Sequence, residues 1–600
     1  MSGFGAALGE PSAVEGTLRR MAPSLEERGP AGTATWRDGG TGLMETRGAV
    51  PGEPYQVAAL GDGTRLVGDV LLEGPGALDR ALADAGHAPP STATDPLRAL
   101  LAYRAWGAEG FGRLAGEYGF ALWDPVTGRL FAVRDPFGVR PVYWARWPGG
   151  VAVSNTVSAL LGCSGVGRGL DEGAVVDHLL FEAVGEPEAT VWAGIRRVPP
   201  AHLASWGAGP AGPELRRHWR LPEIEGATRE PEAWAEGFRT ALLEATRDRL
   251  GGSSCAAVTL SGGLDSTAVA ACCVEAGVRP AAFTAGYSTG FPDPEPPLAA
   301  EAAEALGLDH RIQLLDGHRL YDDRAGAAPA LPGGGGSRGM DQDLDAAITA
   351  VGRGPSAAPT VLTGFGGDPI LLPSTRGWSD RPLRWLMGLW RTWRLTGRRP
   401  PFGLATAVAR RRLRRTWRRG FPAWLDPDFA RRTDALDRWR RHALGGVGDP
   451  RGHRSEARFH LSHPRWGDHF ELFDAGQRGS RLRFTHPFFD QRVVRFALSA
   501  PSLPWCADKY LLRRAMAGRL PQSILSRPKT GLVADPIHPL PRPLGELWRS
   551  WIRTAPEIRR FIRTEAILET AAGSDPLRLR HGSTLRPALD LAWWRSRNVL

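Results

Sequence analysis

Lysine is almost missing from this 600-residue chain: of 75 basic side chains only two, Lys509 and Lys529, carry an ammonium, and every other is an arginine. That scarcity excludes a Walker-type phosphate loop, which needs Gly-Lys-Ser/Thr, because Asp508 and Pro528 precede the only lysines. It also singles out the two that remain. An ammonium is a compact point charge with a tunable pKa, whereas a guanidinium is a bulky planar fork. Cysteine is sparse as well. Cys163, Cys255, Cys272, Cys273 and Cys506 show no paired spacing, which argues against a disulfide framework and fits a reducing compartment. Cys272 and Cys273 lie in an apolar, Ala-rich run and read as buried, inert thiols. No run of about eighteen apolar residues occurs, so no membrane-spanning helix is expected. Met-Ser-Gly-Phe-Gly at the start lacks the pattern of a secretion signal, and a cytoplasmic location is expected.

Abundance is as uneven as scarcity. The net charge of +11 raises the question of nucleic acid. Its source is a bias toward Gly, Ala, Pro and Arg along the whole chain, so no nucleic-acid partner is expected. A hydrophobic fraction of 42% and 22 tryptophans supply several cores, and the length exceeds what one core fills. Residues 1–205 carry short strand signals. Gly119 to Asp124 and Arg129 to Asp135 flank a Pro-Val-Thr-Gly turn and read as a hairpin, and Val142–Trp144 and Val151–Ser154 continue the pattern. Residues 230–600 alternate helices with short buried strands, as in an α/β domain with a parallel sheet. Within them, 326–339 reads as a flexible glycine-rich loop and 376–460 as an Arg/Trp-rich helical insertion. In that insertion Trp385, Trp390, Trp393, Trp417 and Trp439 sit among arginines such as Arg391, Arg394, Arg410, Arg414 and Arg418. Inward-packing tryptophans are expected there, with docking of a precursor peptide or partner protein as the alternative. His460, His463 and His469 lack acidic or thiol partners and read as structural or surface residues.

The densest chemical signal begins at Cys255. An apolar run to Leu260 reads as a buried strand; Ser261-Gly262-Gly263-Leu264-Asp265-Ser266 follows, and Thr267 to Glu275 reads as a helix. A strand that passes through small residues into a helix N-terminus presents free N–H groups and a positive dipole end, which bind phosphate. The glycines allow close backbone approach, and Ser261 and Ser266 add hydroxyls. An acid beside that anion, Asp265, calls for an intervening cation, most simply Mg²⁺.

This hexapeptide resembles the pyrophosphate loop of asparagine synthetase and related adenylating ligases, which cleave ATP between its α and β phosphates and form an acyl-adenylate. Five further segments are similar in the same order. The segment 281–287, with Phe283 and Gly286, resembles the strand lining the adenine side. Thr363-Gly364-Phe365-Gly366-Gly367-Asp368 resembles the second acidic loop, whose aspartate holds Mg²⁺ opposite the first. His486-Pro487-Phe488-Phe489-Asp490 resembles a structural segment, while Lys509–Arg513 and Leu525–Lys529 resemble the closing helix and the lysine-bearing loop. The resemblance implies ATP and Mg²⁺ as cofactors and Asp265 and Asp368 as metal ligands. Lys529 would be the catalytic ammonium on the α-phosphate or tetrahedral intermediate, and Lys509 either a structural ion pair or a nucleotide contact. The implied architecture is two-domain, α/β and α+β. It joins an N-terminal Ntn-hydrolase-like, class II glutaminase-like β-sandwich (1–205) to a C-terminal PP-loop, adenine-nucleotide α-hydrolase-like synthetase (230–600).

The departures narrow the function. A class II glutaminase uses a cysteine exposed by removal of Met1; here Ser2 stands there, and no cysteine precedes Cys163. Val67-Gly68-Asp69 replaces the glutamine-holding Asn-Gly-Glu element. The N-terminal domain therefore reads as a scaffold. Beta-lactam-type synthetases and lasso-peptide cyclases share this loss. Phe365 stands where asparagine synthetases carry glutamate and beta-lactam synthetases a tyrosine that helps deprotonate the amine. A peptide α-amine, with a pKa near 8, needs less help. The expectation is a lasso-peptide macrolactam synthetase acting on a peptide carboxylate, with a leader-binding protein and a leader protease as possible partners. The alternatives are a small-molecule or beta-lactam-like amide ligase, and a non-catalytic binding protein. Tyr287, Tyr321 and Glu471 are candidate bases.

Overall fold

The computed structural model describes residues 2–29, 31–47, 57–207, 209, 212–251, 255–289, 293–318, 321, 328–351, 360–373, 382–397, 417–418, 420–445, 453–463, 465–528, 544–572 and 585–598. Lys529 lies outside them, as do Arg410 and Arg414.

Among the described residues twelve strands make up the N-terminal part: β1 (Ser2–Gly9), β2 (Gly32–Asp38), β3 (Thr41–Arg47), β4 (Ala58–Ala59), β5 (Arg65–Leu72), β6 (Gly116–Asp124), β7 (Arg129–Arg134), β8 (Tyr143–Trp147), β9 (Gly150–Ser154), β10 (Ile195–Arg197), β11 (His202–Trp206) and β12 (Glu214–Arg217). The expected hairpin is β6–β7, in register from Gly119↔Arg134 to Asp124↔Arg129. Two six-stranded sheets result, β10-β8-β9-β1-β3-β2 and β12-β11-β7-β6-β5-β4. Alternation puts Phe4, Leu43 and Val153 of one sheet against Val67, Ala121 and Trp206 of the other, forming the inner core. Helix Pro11–Glu26 covers the first sheet's outer face with Val14, Leu18, Met21 and Leu25. Helix Asp95–Trp106 covers the second, over Phe120 and Leu122. The stack is thus helix, sheet, sheet, helix.

Five strands follow in the second part: β13 (Ala256–Thr259), β14 (Ala281–Gly286), β15 (His310–Leu314), β16 (Thr360–Leu362) and β17 (Arg483–Thr485). They pair in parallel in the order β15-β14-β13-β16-β17. The chain runs outward from β13 in one direction, then returns to start again beside it at β16. Loops leaving the carboxyl ends of β13 and β16 therefore diverge and open a crevice between them, the usual ligand position in such sheets. Helix Leu264–Glu275 behind β13 is buried on nearly every side. Its Ala, Thr and Cys side chains are small enough to allow that. Burial pushes both thiols up, Cys272 to about 12, so they are inert as expected.

Three expectations need correction. Helix Leu264–Glu275 starts three residues before Thr267, which places Asp265 and Ser266 in its first turn. The stretch 333–336 is not a loose tether: Gly335 and Gly336 are buried, Gly336 N–H donates to Asp590 at 3.2 Å, and Gly335 lies flush against Trp593. Inward packing fails for Trp390 and Trp393, which are 57% and 54% exposed on helix Pro382–Thr396. Trp439 does pack inward, stacked on Phe181 with ring centroids 6.1 Å apart. Among the described residues no helix is long and apolar enough to cross a membrane.

The two parts meet across buried ion pairs. Arg249 contacts Glu73 at 2.9 Å, Glu117 at 2.8 Å and Asp490 at 3.0 Å. Arg197 reaches Asp468 at 2.9 Å and Glu471 at 2.8 Å, and Arg483 reaches Asp69 at 3.0 Å. Glu117 also accepts from the Thr485 hydroxyl at 2.7 Å and the His486 amide at 3.1 Å. The seam thereby touches the end of β17, beside the crevice.

Candidate active site

The crevice is a cavity of about 820 Å³ at the carboxyl ends of β13 and β16. After β13, the Ser261 and Ser266 hydroxyls lie 3.1 Å apart and the Ser261 amide donates to Ser266 Oγ at 3.2 Å, so the loop curls onto the helix tip. The amides of Leu264, Asp265 and Ser266 open that helix and have no acceptor within it. Gly262, at φ +62°, needs its missing side chain for another reason than phosphate approach: a Cβ there would strike Leu298 and Ala299 of the neighbouring helix. After β16, the Thr363 hydroxyl pairs with His486 Nδ1 at 2.8 Å and accepts the Phe365 amide at 3.2 Å. A Cβ on Gly367 would lie 2.5 Å from the Asp265 carboxyl carbon, so glycine there lets the two acidic loops close on each other.

Lys509 joins the loops. Its Nζ sits 2.5 Å from Asp265 Oδ2 and 2.6 Å from Asp368 Oδ1. Asp508 and Lys509 both hold positive φ, 50° and 55°, a conformation costing L-residues about 1–2 kcal/mol each. Such strain persists only where surrounding contacts fix it. One clamp is Arg513, which donates to the Asp508 carbonyl at 2.7 Å and the Arg527 carbonyl at 2.8 Å. Burial lowers the Arg513 pKa. Arg527 in turn donates to the Gly262 carbonyl at 3.2 Å, closing a ring from the second lysine-bearing segment back to the first loop.

Of the expected residues, Ser261, Gly263, Leu264, Asp265, Ser266, Phe283, Gly364, Gly366, Asp368 and Lys509 line this one cavity. Gly262 and Gly286 do not appear on its wall, and Gly286 instead packs against Pro296. Sequence reasoning missed Glu295, Cys506, Asp508, Arg513, Arg527 and Trp466, all on the wall. Glu295 is notable because burial, then Asp293, raises its pKa. Its place beside Pro296 and Pro297 gave no motif to notice.

The candidate bases are elsewhere. Tyr287 points its hydroxyl at the Met340 sulfur, 3.5 Å away, and Tyr321 is buried with its ring 4.9 Å from Trp551. Glu471 is locked to Arg197. Phe365 faces Trp466 at 5.3 Å, Phe473 at 5.4 Å, His486 at 5.6 Å and Phe470 at 5.8 Å, making the back wall aromatic. The histidines expected to be structural form no metal cluster among the described residues.

Comparison with known proteins agrees with this geometry. The glutamine amidotransferase domain profile matches residues 75–219, and the asparagine synthase profile matches 237–596. A Mycobacterium bovis protein named "Putative asparagine synthetase" is 28% identical over 471 residues, covering 72% of this chain and 69% of that one. Asparagine synthetase 3 of Bacillus subtilis is 25% identical over 260 residues, 42% of each chain. Amidase chry2 of Gibberella zeae is 26% identical over 238 residues, 37% of this chain and 35% of that one. With more than half of its length matched, and with two acids and an ammonium gathered at a helix tip, the chain belongs to the asparagine synthase family of ATP-dependent carbon–nitrogen ligases, which form AMP and pyrophosphate.

Proposed function

We propose that this ligase adenylates an Asp or Glu side chain of a linear peptide, and that the peptide's own N-terminal amine then closes a lasso-type macrolactam ring. The observation that carries the adenylation step is the cluster of Lys509, Asp265 and Asp368 beside the amide-lined tip of helix Leu264–Glu275. Phosphate oxygens would take the helix-tip amides and the Ser261 and Ser266 hydroxyls. Two carboxylates converging on one cation position offer the hard oxygen donors that Mg²⁺ prefers, and the ion would neutralise charge on the departing pyrophosphate. In that reading Lys509 stands where the ion would sit and turns to the phosphates when it arrives. Pro528 lines the cleft. Lys529 lies outside the described residues, and the resemblance of its segment to the lysine-bearing loop is what assigns it as the ammonium facing the α-phosphate.

The choice of amine rests on what the N-terminal part offers. The Ser2 carbonyl is tied down by Asn155 at 2.8 Å, and Asp69 is buried against Arg483. Neither resembles a glutamine-holding site, so we read this part as a brace and the nucleophile as an amine carried by the substrate. An aromatic wall around Phe365, with no carboxylate or tyrosine at that point, suits an amine that is already partly neutral at pH 7. A cavity of about 820 Å³ leaves room for a stretch of peptide beside the nucleotide. A leader-binding protein and a leader protease are the partners such a substrate calls for.

The test is incubation of the full chain with ATP, Mg²⁺ and linear peptides bearing a free α-amine and an internal Asp or Glu. Equimolar AMP and pyrophosphate, with a product lighter by one water, is the expected result. If amide product forms only when ammonia or a separate small amine is added, ring closure is wrong while adenylation stands.

A further inference from the structure

Helix Arg465–Leu472 stands between two cavities. Trp466 lines the nucleotide cleft, whereas Arg465, Asp468, His469 and Glu471 line a second cavity of about 90 Å³. No described residue lines both. The second cavity lies on the seam: His178 and Glu182 come from the N-terminal part, Gly333 and Gly334 from the ordered glycine turn, and Arg586 and Asp590 from the last helix. Its volume holds on the order of six to nine waters.

Most polar groups around it are satisfied internally. Arg197 holds Glu471 through two hydrogen bonds of 2.8 Å and Asp468 at 2.9 Å, and Asp468 also accepts the Val184 amide at 3.1 Å. Asp590 accepts the Gly336 amide at 3.2 Å. Arg586 lies 3.7 Å from Asp590 and 4.0 Å from Glu182, and two further groups stand out. Arg465 makes no ion pair with any described residue, and its Nε is buried without a hydrogen-bond partner. His178 is 4% exposed, and its Nε2 is likewise buried without a partner. The other ring nitrogen bonds to the Pro587 backbone, which has only a carbonyl to offer, so that nitrogen carries the hydrogen. Burial keeps the imidazole neutral, its pKa lowered to about 4. Nε2 therefore presents a bare lone pair.

An unpaired guanidinium is complementary to a carboxylate, and an imidazole lone pair to a hydroxyl or amino hydrogen. A buried acceptor left unmade costs about 1–3 kcal/mol, so a donor, from water or from a ligand that displaces it, completes the arrangement. We propose that this cavity is a binding site for a small carboxylate carrying a neighbouring hydroxyl or amino group, separate from the nucleotide cleft. Arg465 pairs with the carboxylate and His178 Nε2 accepts from the donor. The two halves of the molecule share the ligand, and the helix it rests on carries Trp466 into the cleft wall, 5.3 Å from Phe365.

The test uses the full chain, with L-lactate, glycine and acetate titrated separately by calorimetry, with and without saturating ATP and Mg²⁺. Saturable binding of lactate or glycine is expected, with acetate, which lacks the donor, weaker by about tenfold, the equivalent of one hydrogen bond of about 1.4 kcal/mol. Preference between lactate and glycine tells whether the donor is hydroxyl or amine. Arg465→Gln is expected to weaken binding at least tenfold, and His178→Phe to fill the space and abolish it. Should His178→Phe fail to fold, Arg465→Gln still decides. Absence of saturable binding, binding unchanged by Arg465→Gln, or competition by ATP each overturns the proposal.

Discussion

At the domain seam three carboxylates, Glu73, Glu117 and Asp490, close on Arg249, which is 0% exposed; in the cleft two, Asp265 and Asp368, share Lys509, and Asp368 remains 52% exposed. The ingredients are alike and the surroundings are not. Around Arg249 every charge is removed from water, so the cluster exists only with all its members and has no vacancy to offer. Burial, helped by Asp490, raises the Glu73 pKa against the pull of Arg249. Around Lys509 water reaches the acids and the cation sits on a flexible stem, which is what the proposed exchange for a divalent ion requires. A guanidinium in the first position and an ammonium in the second is the assignment their chemistry favours.

The largest expected effect tests the seam. Arg249→Met leaves Glu73 buried without its arginine, with Glu117 and Asp490 paired only with Arg140 and Arg492, and is expected to cost about 3–5 kcal/mol, read as a lower urea midpoint or failure to fold. Glu73→Gln is expected to be far milder, because burial already raises the cost of its charge and the amide keeps the side chain's size. Equal losses in the two variants would break the contrast. Next comes the cleft. Asp265→Asn is expected to lower ATP-dependent pyrophosphate release about a hundredfold, on the scale of about 3 kcal/mol of lost charge stabilisation, with the unfolding midpoint little changed. A variant whose activity falls only in step with a lowered unfolding midpoint would make Asp265 a seam-type residue.

A pH series probes the ground between the two. His486 bonds Thr363 of the cleft loop and packs beside Glu117 of the seam, and burial lowers its pKa to about 3. The unfolded histidine titrates near 6.5, so between pH 6.5 and 3 the unfolded state binds more protons than the folded one. Its contribution to stability is therefore complete above about pH 6.5 and is lost as pH falls toward 3. His486→Gln is expected to flatten that part of the stability curve. An unchanged slope would mean the imidazole is solvated.

The cleft was more legible than the seam, for a physical reason. Its first half is local: an apolar run, a small-residue turn and a helix tip within twenty residues of one another, each dictated by short-range rules, whereas Asp368 and Lys509, the latter 244 residues from Asp265, are legible through the resemblance of their own segments. Two lysines in a chain of arginines drew attention to Lys509 before any geometry was known. Arg249, by contrast, is one arginine among many, and its partners lie 132, 176 and 241 residues away. The same distance effect explains the glycine turn at 333–336, which reads as loose because its order comes from Trp593 and Asp590. Trp390 and Trp393 misled in the other direction: amphipathic spacing says which residues share a face, not whether anything covers it.

The smallest expected effect on stability belongs to Lys509→Met, and it is the sharpest test of the comparison. Both of its ion pairs are partly exposed, so losing them should move the unfolding midpoint by no more than about 1 kcal/mol. Binding is where the difference should appear. A tethered ammonium between Asp265 and Asp368 competes with a divalent ion for the same oxygens, and only an incoming triphosphate gives the displaced ammonium a new partner. The intact chain should then bind Mn²⁺ weakly without nucleotide and tightly with ATP. In Lys509→Met the competitor is gone, so nucleotide-free Mn²⁺ binding, followed by the decline of the free-ion paramagnetic signal, should strengthen at least tenfold. Equal nucleotide-free affinity in the two proteins would show that Lys509 holds no place for the metal. Failure of both to bind Mn²⁺ even with ATP would instead remove the two-acid cation site, and with it the feature that sets the open cluster apart from the sealed one.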